Sequence, residues 1–136
     1  VNQLRHVRFL AGPDALTGLM AQHAALIRPR FECVLDTLTQ ELAGRGMGEW
    51  MSPRGGYFVS FNTRPGLARN VVQLADAIGV KLTPAGATFP YGKDPDDSNI
   101  RLSPTFPALK DVKAAIEAFV ICVKLASLQD RVARKR

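Results

Sequence analysis

Gly55-Gly56-Tyr57-Phe58-Val59-Ser60-Phe61-Asn62-Thr63 is a glycine pair followed by seven residues rich in aromatic and β-branched side chains. Such a run predicts a strand over Tyr57–Thr63. The paired glycines permit backbone conformations closed to other residues and close approach by a ligand, although an ordinary turn uses them equally well. Ser52-Pro53-Arg54 leads into the pair as a turn, and Pro65-Gly66 breaks the strand at its far end.

Helical spacing takes over on both sides of this strand. Downstream, Leu67, Val71, Leu74, Ala75 and Ile78 predict a helix closed by Gly79. Val80–Thr83 then reads as a short strand stopped by Pro84 and Gly86. Phe89–Ser98 is a polar loop with Pro90, Pro95 and three aspartates, and Asn99–Ser103 is another short strand. Val112, Ala115, Ile116, Phe119, Val120 and Val123 mark a last amphipathic helix.

Upstream, Gly12-Pro13-Asp14 is a turn and helix-start signal. Leu16, Leu19, Met20, His23, Leu26 and Ile27 follow helical spacing. Pro29 interrupts that helix or starts the next, because its ring is tolerated in a first turn. Phe31, Val34, Leu35, Leu38 and Leu42 continue a helical stripe, which the glycine-rich run Gly44–Gly48 ends. Short strands among several covering helices predict an α/β two-layer sandwich. Its small sheet is expected to be mixed or mostly antiparallel, with one apolar face under the helices.

A length of 136 residues, 46% of them hydrophobic, fits one domain with a modest core. The first residues are Val1-Asn2-Gln3, which reads as a fragment or a processed product. No apolar stretch is long enough for a membrane span, and no secretory signal pattern opens the chain. Cys33 and Cys122 fall on helical apolar faces, which suits buried thiols in a reducing cytoplasm better than a disulfide frame. They share no ligand spacing with His6 and His23, so no metal site is expected. The 18 Lys and Arg outnumber the 12 Asp and Glu. Much of the excess lies in Arg131, Arg134, Lys135 and Arg136, where cations suit a solvated helix end. Aromatic residues do not interleave with this run, so a nucleic-acid partner is not expected.

Three features could carry chemistry. Arg101 lies between Ile100 and Leu102, so strand alternation turns its side chain away from their shared face, toward water, a ligand or an acidic partner. Its planar fork can hold a carboxylate through two parallel hydrogen bonds, and spacing alone leaves open a solvated charge or a structural salt bridge. The second feature is Pro53–Phe58 around Gly56. The third is Pro84-Ala85-Gly86-Ala87-Thr88-Phe89 running into Pro90-Tyr91, which could line a pocket or pack over the domain edge.

In this order the pieces resemble the C-terminal small domain of fold type I pyridoxal-phosphate (PLP) aminotransferases. The matching pieces are Gly55-Gly56-Tyr57-Phe58, a helix, Val80–Gly86, Phe89, Asn99–Ser103 with its arginine, and a long final helix. The extended Thr88–Pro107 run is similar to a bacterial subgroup containing aspartate aminotransferases. The resemblance implies that Arg101 binds the α-carboxylate of an amino-acid or keto-acid substrate, with Phe89, Tyr91 and Gly56 beside it. It implies residues 1–12 as a helical connection from a large domain, residues 13–136 as the small domain, and a homodimeric parent. The Thr88–Ser98 loop would serve as part of a lid.

Family enzymes hold PLP through a lysine in the large domain. Lys81, Lys93, Lys110, Lys113, Lys124 and Lys135 do not stand in the Ser/Asn-x-x-Lys context that such a lysine has. No catalytic residue and no PLP site is therefore expected in this chain, and it should be inactive alone. The competing reading is a freestanding α/β module that binds a small acidic ligand or another protein.

Overall fold

A computed structural model describes residues 1–135; Arg136, counted above in the basic tail, lies outside the described residues. Its helices are α1 (Asn2–Leu10), α2 (Pro13–Leu42), α3 (Ala68–Ala77) and α4 (Leu109–Ala133). Its strands are β1 (Gly48–Trp50), β2 (Val59–Thr63) and β3 (Asn99–Leu102), hydrogen-bonded in the order β1-β2-β3.

Both strand pairings are antiparallel, with Trp50 opposite Phe61 and Ser60 opposite Arg101. The alternation in β2 and β3 is strict: Val59, Phe61, Ile100 and Leu102 are buried, while Ser60 and Asn62 are exposed. Helices cover the buried face, as expected for the two-layer sandwich. Val34, Leu38 and Leu42 of α2, Val71 and Ala75 of α3, and Ile116, Phe119 and Val123 of α4 complete one core with these strands. Helices α2 and α4 lie side by side and run in the same direction. Arg30 Nε donates to Pro107 O (2.8 Å) at one end, and Lys124 pairs with Glu41 at the other.

Four local expectations need correction. Pro29 neither breaks nor starts a helix, since α2 is continuous through it. The ring removes one backbone donor, and at the same turn Arg30 Nη1 donates to Leu26 O (2.5 Å). Val80–Thr83 forms no ladder. The Val80 N–H is already used on Ala75 O (2.9 Å), closing α3, and Pro84 has no donor to continue a strand. The segment is held instead by half-buried Val80 and Leu82 against the core.

The other two corrections concern the strand bounds and one strand that was not expected. β2 starts at Val59 and β3 stops at Leu102, shorter than expected by two residues and one. The glycine-rich run after α2 also delivers β1, which its turn composition concealed. Gly48 is required there, because a Cβ would lie 2.3 Å from Phe61 Cζ and 3.0 Å from Asn62 O.

Helix α1 buries none of its residues, and α2 buries none before Val34. Leu4, Val7, Phe9, Met20 and Leu26 are exposed along this projecting part. None of the helices is long and apolar enough to cross a membrane among the described residues.

Candidate functional site

The loop from Pro84 to Ser98 prepares the site by fixing the start of β3. Asp94 is buried and accepts from the backbone N–H groups of Asp96 (3.0 Å), Ser98 (2.8 Å) and Asn99 (2.8 Å). Burial pushes its carboxyl up, but the N–H groups of Asn99, Ser98 and Asp96 outweigh that and hold it below the usual carboxylate range. Asp97 caps α3: its backbone oxygen accepts from Ala68 N (2.9 Å) and its Oδ1 from Arg69 N (3.3 Å). These bonds tie the second half of the expected lid to the body of the domain.

The first half turns back on itself. Gly86 has φ +85 and lies so near the chain that a Cβ there would stand 2.3 Å from Gly92 O. A single 3-10 turn spans Pro90–Gly92 and holds Tyr91 at φ 58 with its ring almost fully in solvent. Phe89 is half-buried. Thr88 Oγ1 donates to Asn99 Oδ1 (2.7 Å), while Asn99 Nδ2 donates to Ser60 Oγ (2.9 Å) and Asn62 Oδ1 (2.7 Å). This polar network lies on the face of the sheet that the helices leave open.

Arg101 shares that open face, opposite Ser60 in register. Its Cζ sits 4.5 Å from the centroid of the Phe58 ring. No salt bridge among the described residues involves it. Its Nε is buried and has no hydrogen-bond partner. A buried donor on a charged group without an acceptor is costly. The backbone position of Arg101 also borders a cavity of ≈ 160 Å³ on the helix side of β3, walled by Val34, Val80, Leu82, Leu102, Ile116 and Phe119, so the cavity and the open-face side chain are on opposite sides of the strand.

Of the four residues singled out in the sequence, Arg101 alone lines this cavity. Gly56 is exposed with φ +92, and a Cβ there would meet nothing within 4 Å, so backbone conformation rather than close approach explains the glycine. Phe58 closes the Pro53–Phe58 feature, but its contact with Arg101 is what sequence reasoning missed. Phe58 was read as part of a strand, and only its neighbour across the sheet gives it a partner.

The lysines do not fit a PLP-binding role. Lys81 borders the cavity, but its side chain is 80% exposed and its ammonium pairs with Asp76. Lys124 pairs with Glu41, and Lys93, Lys110, Lys113 and Lys135 are exposed. No group of His, Cys, Asp and Glu among the described residues could hold a metal ion. Cys33 and Cys122 are free thiols.

The family model described as aspartate amino-transferase matches residues 1–135. A Mycolicibacterium smegmatis protein named as an aminotransferase is 45% identical over 129 residues, which make up 95% of this chain and 30% of that protein. The Corynebacterium glutamicum aspartate aminotransferase is 38% identical over 129 residues, again 95% of this chain and 30% of the relative. A crystal structure of an aspartate transaminase from that organism has a TM-score of 0.92 at 38% identity, covering 96% of this chain and 31% of that one. The structure of an aminotransferase from Corynebacterium diphtheriae has a TM-score of 0.91 at 42% identity, with 94% and 32% covered. The chain thus spans about 30% of the length of the curated relatives it matches. Its fold and its sequence lead to one conclusion: the chain belongs to the aspartate amino-transferase family.

Proposed function

We propose that this chain is the C-terminal small domain of a PLP-dependent aminotransferase and that Arg101 binds the α-carboxylate of the amino-acid or keto-acid substrate. The observation that carries the reading is the buried, unpartnered Nε of Arg101, held against the Phe58 ring on the open face of the sheet. A carboxylate accepting from Nε and one Nη in parallel would satisfy that donor and fix the orientation of the substrate. The contribution is positional: holding a reactant in one geometry removes several kcal/mol, roughly, from a barrier.

The lysines of this chain do not fit the cofactor, so the PLP-bearing lysine belongs to the large domain of the full-length enzyme. The fragment alone is expected to be inactive. Phe89, Tyr91 and Gly56 then form one rim of a substrate cleft that the large domain completes, and the Pro90–Gly92 turn, with Tyr91 in solvent, is the tip of the loop that would act as part of a lid. The exposed apolar side chains of α1 and the first half of α2 are suited to packing against that large domain and, in a homodimer, against its partner.

The test is Arg101→Lys in the full-length enzyme. Lysine keeps the charge and loses the fork. The expected result is a fall in kcat/KM of about tenfold or more, roughly 1.4 kcal/mol. Wild-type kinetics in this variant would remove Arg101 from the site.

A further inference from the structure

The open face of the sheet poses a problem for an arginine that must receive a ligand. A guanidinium on a flexible stem needs something to hold its plane, and the usual solution is an internal carboxylate, which would occupy the fork. No salt bridge among the described residues does this for Arg101. The nearby polar side chains are also committed elsewhere, because Asn99 is hydrogen-bonded to Ser60, Asn62 and Thr88. What does lie against the guanidinium is the Phe58 ring, with Cζ 4.5 Å from its centroid.

We infer that Phe58 is a positioning residue that holds the Arg101 guanidinium in one plane for carboxylate recognition. The inference rests on the reading of Arg101 given above. An aromatic face attracts a cation while using none of its N–H groups, so the fork stays open. Phe58 immediately precedes β2, and Ser60, two residues on, is paired with Arg101. The ring is therefore anchored by the same ladder that carries the arginine. The buried Nε adds a direction. A carboxylate that engaged the two Nη groups end-on would leave Nε without an acceptor, whereas side-on engagement through Nε and one Nη satisfies it. Phe58 holds the plane, and the unpartnered Nε selects the side-on approach within it.

The experiment uses the full-length enzyme carrying Phe58→Leu, Phe58→Trp or Arg101→Lys, with L-aspartate as amino donor and its α-carboxamide, L-isoasparagine, as the control ligand. Phe58→Leu is expected to raise KM for L-aspartate by about three- to tenfold with kcat little changed, and Phe58→Trp to restore it. Binding of the carboxamide, which lacks the anionic fork partner, is expected to change less than twofold, roughly. Equal weakening of both ligands would mean a merely structural role and would overturn the proposal. An unchanged KM in Phe58→Leu beside a raised KM in Arg101→Lys would overturn Phe58 and leave Arg101 standing; no change in either variant would remove both. Crystal structures of the variants give a readout that does not depend on turnover. The Arg101 guanidinium should be displaced or disordered in Phe58→Leu and in place in Phe58→Trp; an undisturbed guanidinium in Phe58→Leu refutes the inference whatever the donor.

Discussion

Phe61 of β2 meets Phe119 of α4 edge to face, with ring centroids 5.1 Å apart and planes at 83°. Both side chains are fully buried, and Trp50 of β1 stacks on Phe61 with planes only 10° apart. One ring therefore joins all the strands to the helical layer, since β2 is the central strand. Truncation here loses transferred area and leaves a cavity. Phe61→Ala should cost about 3–5 kcal/mol, read as a shift in the denaturation midpoint. A loss below roughly 1 kcal/mol would mean that the core is not centred on this contact.

Gly48 pairs with Thr63 at the edge of the same cluster, and the space for its missing Cβ is taken by the Phe61 ring. Phe61 is fully buried between Trp50 and Phe119, which leaves its ring little room to yield. Gly48→Ala should therefore destabilise by about 1–3 kcal/mol through overpacking. Stability equal to wild type in thermal melts would mean that β1 is not paired in this register.

The loop before β3 should make stability sensitive to acid. The folded carboxyl of Asp94 titrates below its usual range, despite burial, because three backbone N–H groups bind the charged form. A depressed carboxylate contributes stability that is present above the unfolded pKa and lost as pH falls through the folded one. Melting temperature should drop on acidification below the ordinary aspartate range, about pH 4, and Asp94→Asn should flatten that dependence. An identical acid profile in the variant would contradict the assignment. Glu41 also titrates low, held down by Lys124, but this solvent-reachable pair is screened by salt, so added salt separates the two contributions.

The two thiols should differ in reactivity. Burial pushes the Cys122 thiol up, which lowers its thiolate fraction, while Cys33 is only half-buried. Alkylation of the folded protein should reach Cys122 only after denaturant is added. Stoichiometric labelling of Cys122 in native buffer would show that α4 opens from the core.

Legibility in the sequence followed the range of the interaction. The outward turn of Arg101 was readable because strand alternation is local: Ile100 and Leu102 are buried and Arg101 lies on the other face. The helical stripes of α2 and α4 were readable for the same reason. Val80–Thr83 was misread because composition favours a strand, while actual pairing depends on where the donors of Val80 and its neighbours go. β1 was missed because three residues that begin on the last glycine of a glycine-rich run carry no periodic signal, and their pairing to β2 is a tertiary fact. The contact of Phe58 with Arg101 escaped for a related reason. The two residues are 43 positions apart in the chain, and only the β2–β3 register brings the ring to the guanidinium.

The most direct measurement is a crystal structure of the full-length enzyme with a bound amino-acid substrate analogue. The account predicts both α-carboxylate oxygens within about 2.7–2.9 Å of Arg101, one on Nε and one on an Nη, with the Phe58 ring still against the guanidinium. An analogue whose carboxylate binds elsewhere, with Nε still lacking an acceptor, would contradict it.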